Sequence, residues 1–124
     1  MTGPFIFIAT NRLKQGKLNS EQKRLPDLID QANEPRLIAF NEYANEEGTE
    51  VAVVQVHPDA DSMVFHMKLI AERAASAYAD TIDATTNIQV FGTPGDTVAD
   101  MLQRQAGAVV PLSITPQFLG GFTR

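Results

Sequence analysis

The sequence predicts an α+β fold of the ferredoxin-like kind, βαββαβ with a C-terminal helix and an extended tail. Three observations predict it. The chain opens on an apolar, β-rich run, Phe5-Ile-Phe-Ile-Ala-Thr. Two strand-like segments, Arg36 to Ala44 and Glu50 to His57, flank a short glycine-containing loop, which reads as a hairpin. Helical apolar stripes stand before and after that hairpin, the placement that puts both long helices on one face of a four-stranded antiparallel sheet. The 124 residues suit a single domain, 1–124, with no repeat or linker inside it.

Each element has its local reason. Phe5 to Leu13 makes the first strand, and Lys14-Gln-Gly-Lys17 turns the chain. Asn19 with Gln22 reads as a capping box, and Leu25, Leu28, Ile29 and Ala32 form the stripe of a helix that stops before Pro35. Pro26 either kinks that helix or marks its first turn. In the hairpin, pairing Ala44 with Glu50 puts Ile38, Phe40, Ala52, Val54 and Val56 on a core face. Leu37, Asn41, Tyr43, Val53, Gln55 and His57 then share a mixed face, suited to a pocket wall or a subunit interface. Pro58-Asp-Ala-Asp61 supplies acidic caps for a helix over 62–82, whose stripe runs through Met63, Met67, Ile70, Ala71, Ala74, Ala77 and Tyr78. Thr86 to Gly92 reads as the fourth strand, and Pro94-Gly-Asp96 opens a short helix ended by Gly107. The segment 108–115 is extended but holds Pro111, so it reads as an edge strand or strap. The tail keeps Phe118 and Phe122 almost to its end and is expected to dock. A sheet with both helices on one face leaves the other face to be covered, and in so small a chain the expected cover is a second copy.

Composition narrows the chemistry. Hydrophobic residues make up 44% and charged residues 20%, ordinary globular usage. The absence of cysteine removes disulfides, zinc–thiolate sites, iron–sulfur clusters and thiol nucleophiles. A net charge of −5 disfavours non-specific nucleic-acid binding. No apolar run approaches a membrane span and no leader pattern opens the chain, so a cytoplasmic protein without a membrane role is expected. Arg12, Lys14, Lys17, Lys23 and Arg24 stand together against Glu21 alone, a patch that reads either as a greeting for an anionic ligand or as a solvated surface.

Several segments carry a resemblance: Phe5-Ile-Phe-Ile-Ala-Thr-Asn-Arg-Leu13, Ala32-Asn-Glu-Pro35, Val53-Val-Gln-Val-His-Pro-Asp-Ala-Asp-Ser-Met63 with Phe65-His-Met67, and Leu119-Gly-Gly-Phe-Thr-Arg124. Together they resemble the antibiotic-biosynthesis-monooxygenase-like family of small dimeric α+β barrel proteins. The resemblance implies a homodimer whose two sheets pack into a barrel, with a pocket between sheet and helices in each subunit. It also implies a monooxygenase acting on a small phenolic or quinol-type aromatic, without metal or bound cofactor. Asn11 falls where oxygenases of the family place a pocket asparagine. The chain has no tryptophan, which the haem-degrading members rely on, so haem degradation is not expected.

The candidate catalytic residues are His57, Asn11 and His66. His57, at a strand end, suits a general base because an ordinary imidazole titrates near neutral pH. Its alternative role is to pack on Pro58 and hydrogen-bond the start of the next helix. His66, one turn into that helix, either reaches the pocket or pairs with nearby acids. Asn11 bonds a ligand or the backbone. Tyr43, Tyr78 and Phe91 are the candidate substrate-binding aromatics, which otherwise serve as half-buried packing. His57, Asp59 and Asp61 fit no metal-ligand spacing, and both acids have a use at the helix N-terminus, so no metal is expected. The rival to an enzyme is a non-catalytic dimeric protein of the same fold that binds a ligand or serves as an accessory.

Overall fold

The computed structural model describes residues 3–23, 36–73 and 79–124, with the side chains of 69–73 excepted. Five strands and two longer helices organise these residues. The strands are β1 (Phe5–Leu13), β2 (Ala39–Ala44), β3 (Glu50–His57), β4 (Ile82–Phe91) and β5 (Leu112–Thr115), and the helices are α1 (Ala60–Arg73) and α2 (Gly95–Ala106). Residues 18–23 and 79–81 are also helical. The sheet order is β2-β3-β1-β4-β5. β1 lies antiparallel to both β3 and β4, and β2 antiparallel to β3, which is the ferredoxin-like pattern expected from sequence. β5 adds an edge strand parallel to β4, reached through α2. Pro111 stands just outside β5, where its carbonyl still accepts the Ile88 N–H at 3.0 Å.

Strict alternation along β1 sets the two faces of the sheet. Phe5, Phe7, Ala9, Asn11 and Leu13 are buried on one face, while Ile6, Ile8 and Thr10 are half-buried on the other. Met63 of α1 and Val98, Leu102 and Ala106 of α2 close over Phe5, Phe7, Ala9, Ile88 and Val90 to form the main core. Burying each large side chain of this set contributes about 1.5–3 kcal/mol. A smaller cluster of Leu13, Val51 and Ile82, with Leu18 against it, seals the far end of β1.

The hairpin register differs from the expected one by a single residue: Ala44 pairs with Val51, not Glu50. Asn45 is the cause. Its Oδ1 accepts the N–H groups of Thr49 and Glu50 at 2.9 and 3.1 Å, and its own N–H donates to the Glu50 carbonyl at 3.0 Å. The turn therefore consumes Glu50 as its closing residue. Because the pleat has a period of two, that slip turns β2 over relative to the expectation. Phe40 faces the same side as Gln55 and His57, and Tyr43 faces the side of Ala52 and Val54. The assignment of the core face is also corrected. Val51, Val53, Gln55 and His57 are the buried residues of β3, and Ala52, Val54 and Val56 lie half-buried on the face that the described helices leave bare.

Other expectations shift at element ends. β4 begins at Ile82 rather than Thr86, because Leu13, Arg12 and Asn11 pair with Ile82, Ala84 and Thr85 across two register irregularities. The helix near residue 20 already includes Leu18, with the Glu21 N–H donating to the Lys17 carbonyl at 2.9 Å, so the Asn19–Gln22 capping box does not start it. The stripe Leu25, Leu28, Ile29 and Ala32, and the part of the 62–82 stripe from Ile70 to Tyr78, lie outside the described side chains.

Candidate functional site

β3 ends at His57, and the chain turns through Pro58 and Asp59 straight into α1. Asp59 Oδ1 accepts the Ser62 N–H at 2.9 Å, the cap expected of this segment, and also receives Arg36 Nη2 at 3.1 Å. The cap swings Ser62 back beneath the strand end. There His57 is fully buried, with Nδ1 2.8 Å from Ser62 Oγ and Nε2 3.0 Å from Gln55 Oε1. With the Gln55 carbonyl oxygen facing the ring, Nε2 carries the proton and donates it to Gln55, and Nδ1 accepts the Ser62 hydroxyl. Gln55 sits two residues before His57 on one face of β3, so a single strand presents both groups.

His66 completes the cluster from one turn further along α1. It is buried, its ring meets His57 edge-on at 5.8 Å between centroids, and Phe40 packs against it at 5.9 Å. The His57 pKa is lowered from 6.5 to about 4. Burial is the main cause, and the charges of His66 and Arg36 push the same way against an upward pull from Asp59. His57 is therefore neutral near pH 7.

The remaining expected residues stand elsewhere. Asn11 is buried on the same sheet face, but its strand partner is Val51, six residues down β3 from His57, a separation of roughly 20 Å. There Asn11 Oδ1 accepts the Thr85 hydroxyl at 2.7 Å. Tyr43 is 63% exposed on the bare face, and Phe91, opposite Ile6 on that face, is 37% exposed. Tyr78 lies outside the described residues. Within one chain, then, the structure brings His57 and His66 together and keeps Asn11, Tyr43 and Phe91 apart from them.

Phe91 does line a cleft of about 680 Å³ at the His57 end of the sheet, together with Phe5, Ile6, Pro58, Asp59, Phe118 and Leu119. Its wall is largely apolar, and its one carboxylate, Asp59, is already paired with Arg36. At the other end, three residues of the basic patch are tied down. Arg12 Nε donates to Asp83 at 2.8 Å, Lys14 Nζ to the Ala79 carbonyl at 2.7 Å, and Lys17 lies 3.6 Å from Asp80. Sequence reasoning did not single out Ser62 and Phe40 as partners of the histidines, nor buried Glu21, whose Oε1 accepts the Thr81 hydroxyl at 2.6 Å. Ser62 carried a signal, since it falls in the first turn after an Asp cap; Phe40 was hidden by the register slip.

No family model and no curated protein matches the sequence. Solved structures do match the fold. MupZ from Pseudomonas fluorescens superposes with a TM-score of 0.73 at 18% identity, over 100% of this chain and 91% of that one. A Nitrosomonas europaea structure named "putative antibiotic biosynthesis monooxygenase" superposes with a TM-score of 0.62 at 13% identity, over 75% of this chain and 92% of its own. A further structure named antibiotic biosynthesis monooxygenase gives 0.59 at 13% identity, over 72% and 97%. The chain thus has the α+β fold of the antibiotic-biosynthesis-monooxygenase-like proteins, as its sequence resemblance implied. Among the described residues, no helix is long and apolar enough to cross a membrane.

Proposed function

We propose that the chain is a homodimeric monooxygenase-type enzyme that acts on a small phenolic or quinol-type aromatic, with its own buried histidines as the acid–base group. The observation that carries the proposal is the His57–His66 pair, buried together between β3 and α1 in a fold shared with structures named as monooxygenases. In this reading the substrate supplies the electrons. Loss of a proton to the protein makes an electron-rich anion, which passes one electron to dioxygen. The radical pair combines to a peroxide, and loss of water leaves one oxygen atom in the product. Burial of the pair favours such a step by keeping water out.

The roles of the two histidines differ. Both His57 nitrogens are engaged by Ser62 and Gln55, and its lowered pKa makes it a poor proton acceptor near neutrality. His66 is therefore the residue assigned to take the substrate proton, and His57 the positioning residue that holds α1 and the His66 ring in place. Asn11, hydrogen-bonded to Thr85, and the aromatic Phe91, in the cleft, remain candidates for holding substrate, each at its own end of the sheet. The homodimer is supported by the bare sheet face, where Ile6, Ile8, Ala52, Val54 and Val56 form a half-buried apolar surface flanked by Phe91 and Tyr43.

Oxygen uptake on a panel of quinols and phenols tests the reading. The wild-type protein is expected to consume oxygen above the background oxidation rate, and His66→Ala to slow turnover on the order of 10²-fold. His57→Gln is expected to retain more turnover than His66→Ala. Absence of uptake across the panel by folded protein refutes the monooxygenase reading. The second reading, a ligand-binding or accessory protein, is favoured by the internal hydrogen bonds that occupy His57 and the Asn11 carbonyl oxygen. It predicts bound small molecules without oxygen consumption.

A further inference from the structure

We infer that the cleft at the His57 end of the sheet is a binding site for an uncharged, ring-bearing apolar small molecule. The inference goes beyond the activity proposed above and does not depend on it, because neither His57 nor His66 belongs to the cleft wall. The volume of about 680 Å³ is that of a small-molecule site, within the range of roughly 300–1,000 Å³. Its wall is preformed. Five stretches of chain meet there: the start of β1, the turn from β3 into α1, the ends of β4 and β5, and the tail as far as Leu119. The Gly92 N–H donates to the Thr115 carbonyl at 2.9 Å and Thr93 Oγ1 to the Pro116 carbonyl at 3.5 Å, which ties the start of the tail to the end of β4. The Phe118 ring then seats against Gly3, filling the space that a Cβ there would need. Pro4, Pro58 and Pro116 fix the backbone at three points of the wall, so little order has to be gained when a ligand enters.

The wall also fixes the chemistry of the ligand. Phe91 and Phe118 supply aromatic surface, and Ile6 and Leu119 aliphatic surface, a lining that favours a flat apolar body. Among the described residues, the one charged side chain on the wall is Asp59. Arg36, which donates to Asp59 Oδ1 at 3.1 Å, does not itself line the cleft. An anion entering here would give up water with a carboxylate beside it and no described cation on the wall, a cost that a neutral molecule avoids. The charge is held in place, since Asp59 also caps α1 through the Ser62 N–H. The Gln117 amide and the Thr93 hydroxyl oxygen can serve neutral polar groups on the same ligand.

N-phenylnaphthylamine, an uncharged dye that brightens in apolar surroundings, tests the site against its ring-sulfonated analogue, anilinonaphthalene sulfonate, on the full-length chain. The wild type is expected to bind the neutral dye with a Kd on the order of 10–100 μM and the sulfonate about 10-fold more weakly or worse. Phe91→Ala/Phe118→Ala strips the aromatic wall, and Gly3→Ala drives the Phe118 ring off its seat. Each is expected to weaken the neutral dye about 10-fold while circular dichroism shows the fold retained. Asp59→Asn keeps a capping side chain and removes the charge, and is expected to narrow the gap between the dyes to about 3-fold or less. Val109→Asp, at an exposed apolar residue outside the cleft, is expected to change nothing. A folded wild type that brightens neither dye overturns the site, as does neutral-dye binding that both cleft variants leave unmoved. Sulfonate binding as tight as that of the neutral dye overturns the preference for an uncharged ligand.

Discussion

Acid should unfold this protein partly through one buried histidine. His57 titrates near 6.5 in an unfolded chain and near 4 in the folded one, so between those values the unfolded state binds the extra proton. Stability therefore rises with pH through this window; the full contribution is present above pH 6.5 and is lost as the pH falls toward 4. At about 1.36 kcal/mol for each tenfold change in proton affinity, the loss reaches about 3 kcal/mol at pH 4. For a chain of this length that corresponds to a fall of roughly 10 °C in Tm. Carboxylates titrate over the same range, so the informative quantity is the difference between wild type and His57→Gln, a substitution that stays neutral throughout. Urea unfolding at intervals from pH 7.5 to 4 is expected to show the wild type losing about 3 kcal/mol more than the variant. Parallel stability curves would refute the reasoning, as would a His57 ring-proton titration by NMR with its midpoint at or above 6.5.

Asp59→Ala removes both the cap of α1 and the partner of Arg36, and a thermal melt is expected to show a loss of about 1 kcal/mol, most of it from the cap because the ion pair is exposed. Thr85→Val strips the hydroxyl from buried Asn11 Oδ1 at nearly constant volume, and chemical denaturation is expected to register about 1–3 kcal/mol of destabilisation.

The ordering of elements was legible because it rests on long-range patterns: the apolar alternation of β1, the hairpin and the Asp-capped start of α1 each survive an error of one residue. Faces are less forgiving. One side-chain acceptor, Asn45 Oδ1, decided that Glu50 closes the turn, and nothing in the apolar pattern distinguishes that turn from one a residue shorter. The buried face of β3 carries Gln55 and His57 beside Val51 and Val53, so it reads as the more polar of the two and the sequence pattern pointed to the opposite face. For the same reason Val54 and Val56 read as core. A strand with apolar residues on both sides is itself the mark of a sheet covered twice, by helices on one face and by something else on the other.

The site was half legible. His57 and His66 were found as titratable groups near a strand end and a helix start, and the turn between them brings their rings together. The alternative use of His57, bonding the start of the helix, is the geometry the chain adopts through Ser62. Asn11 lies on the same face as His57, yet the length of β1 separates them, a distance no motif reveals until the register is known.

The account depends above all on the claim that the bare face of the sheet belongs against a second copy. Native mass spectrometry of the freshly purified full-length chain tests it most directly. The account predicts a species at twice the 13.5 kDa chain mass that persists on dilution to low micromolar concentration. A monomer as the sole species at tens of micromolar would contradict it.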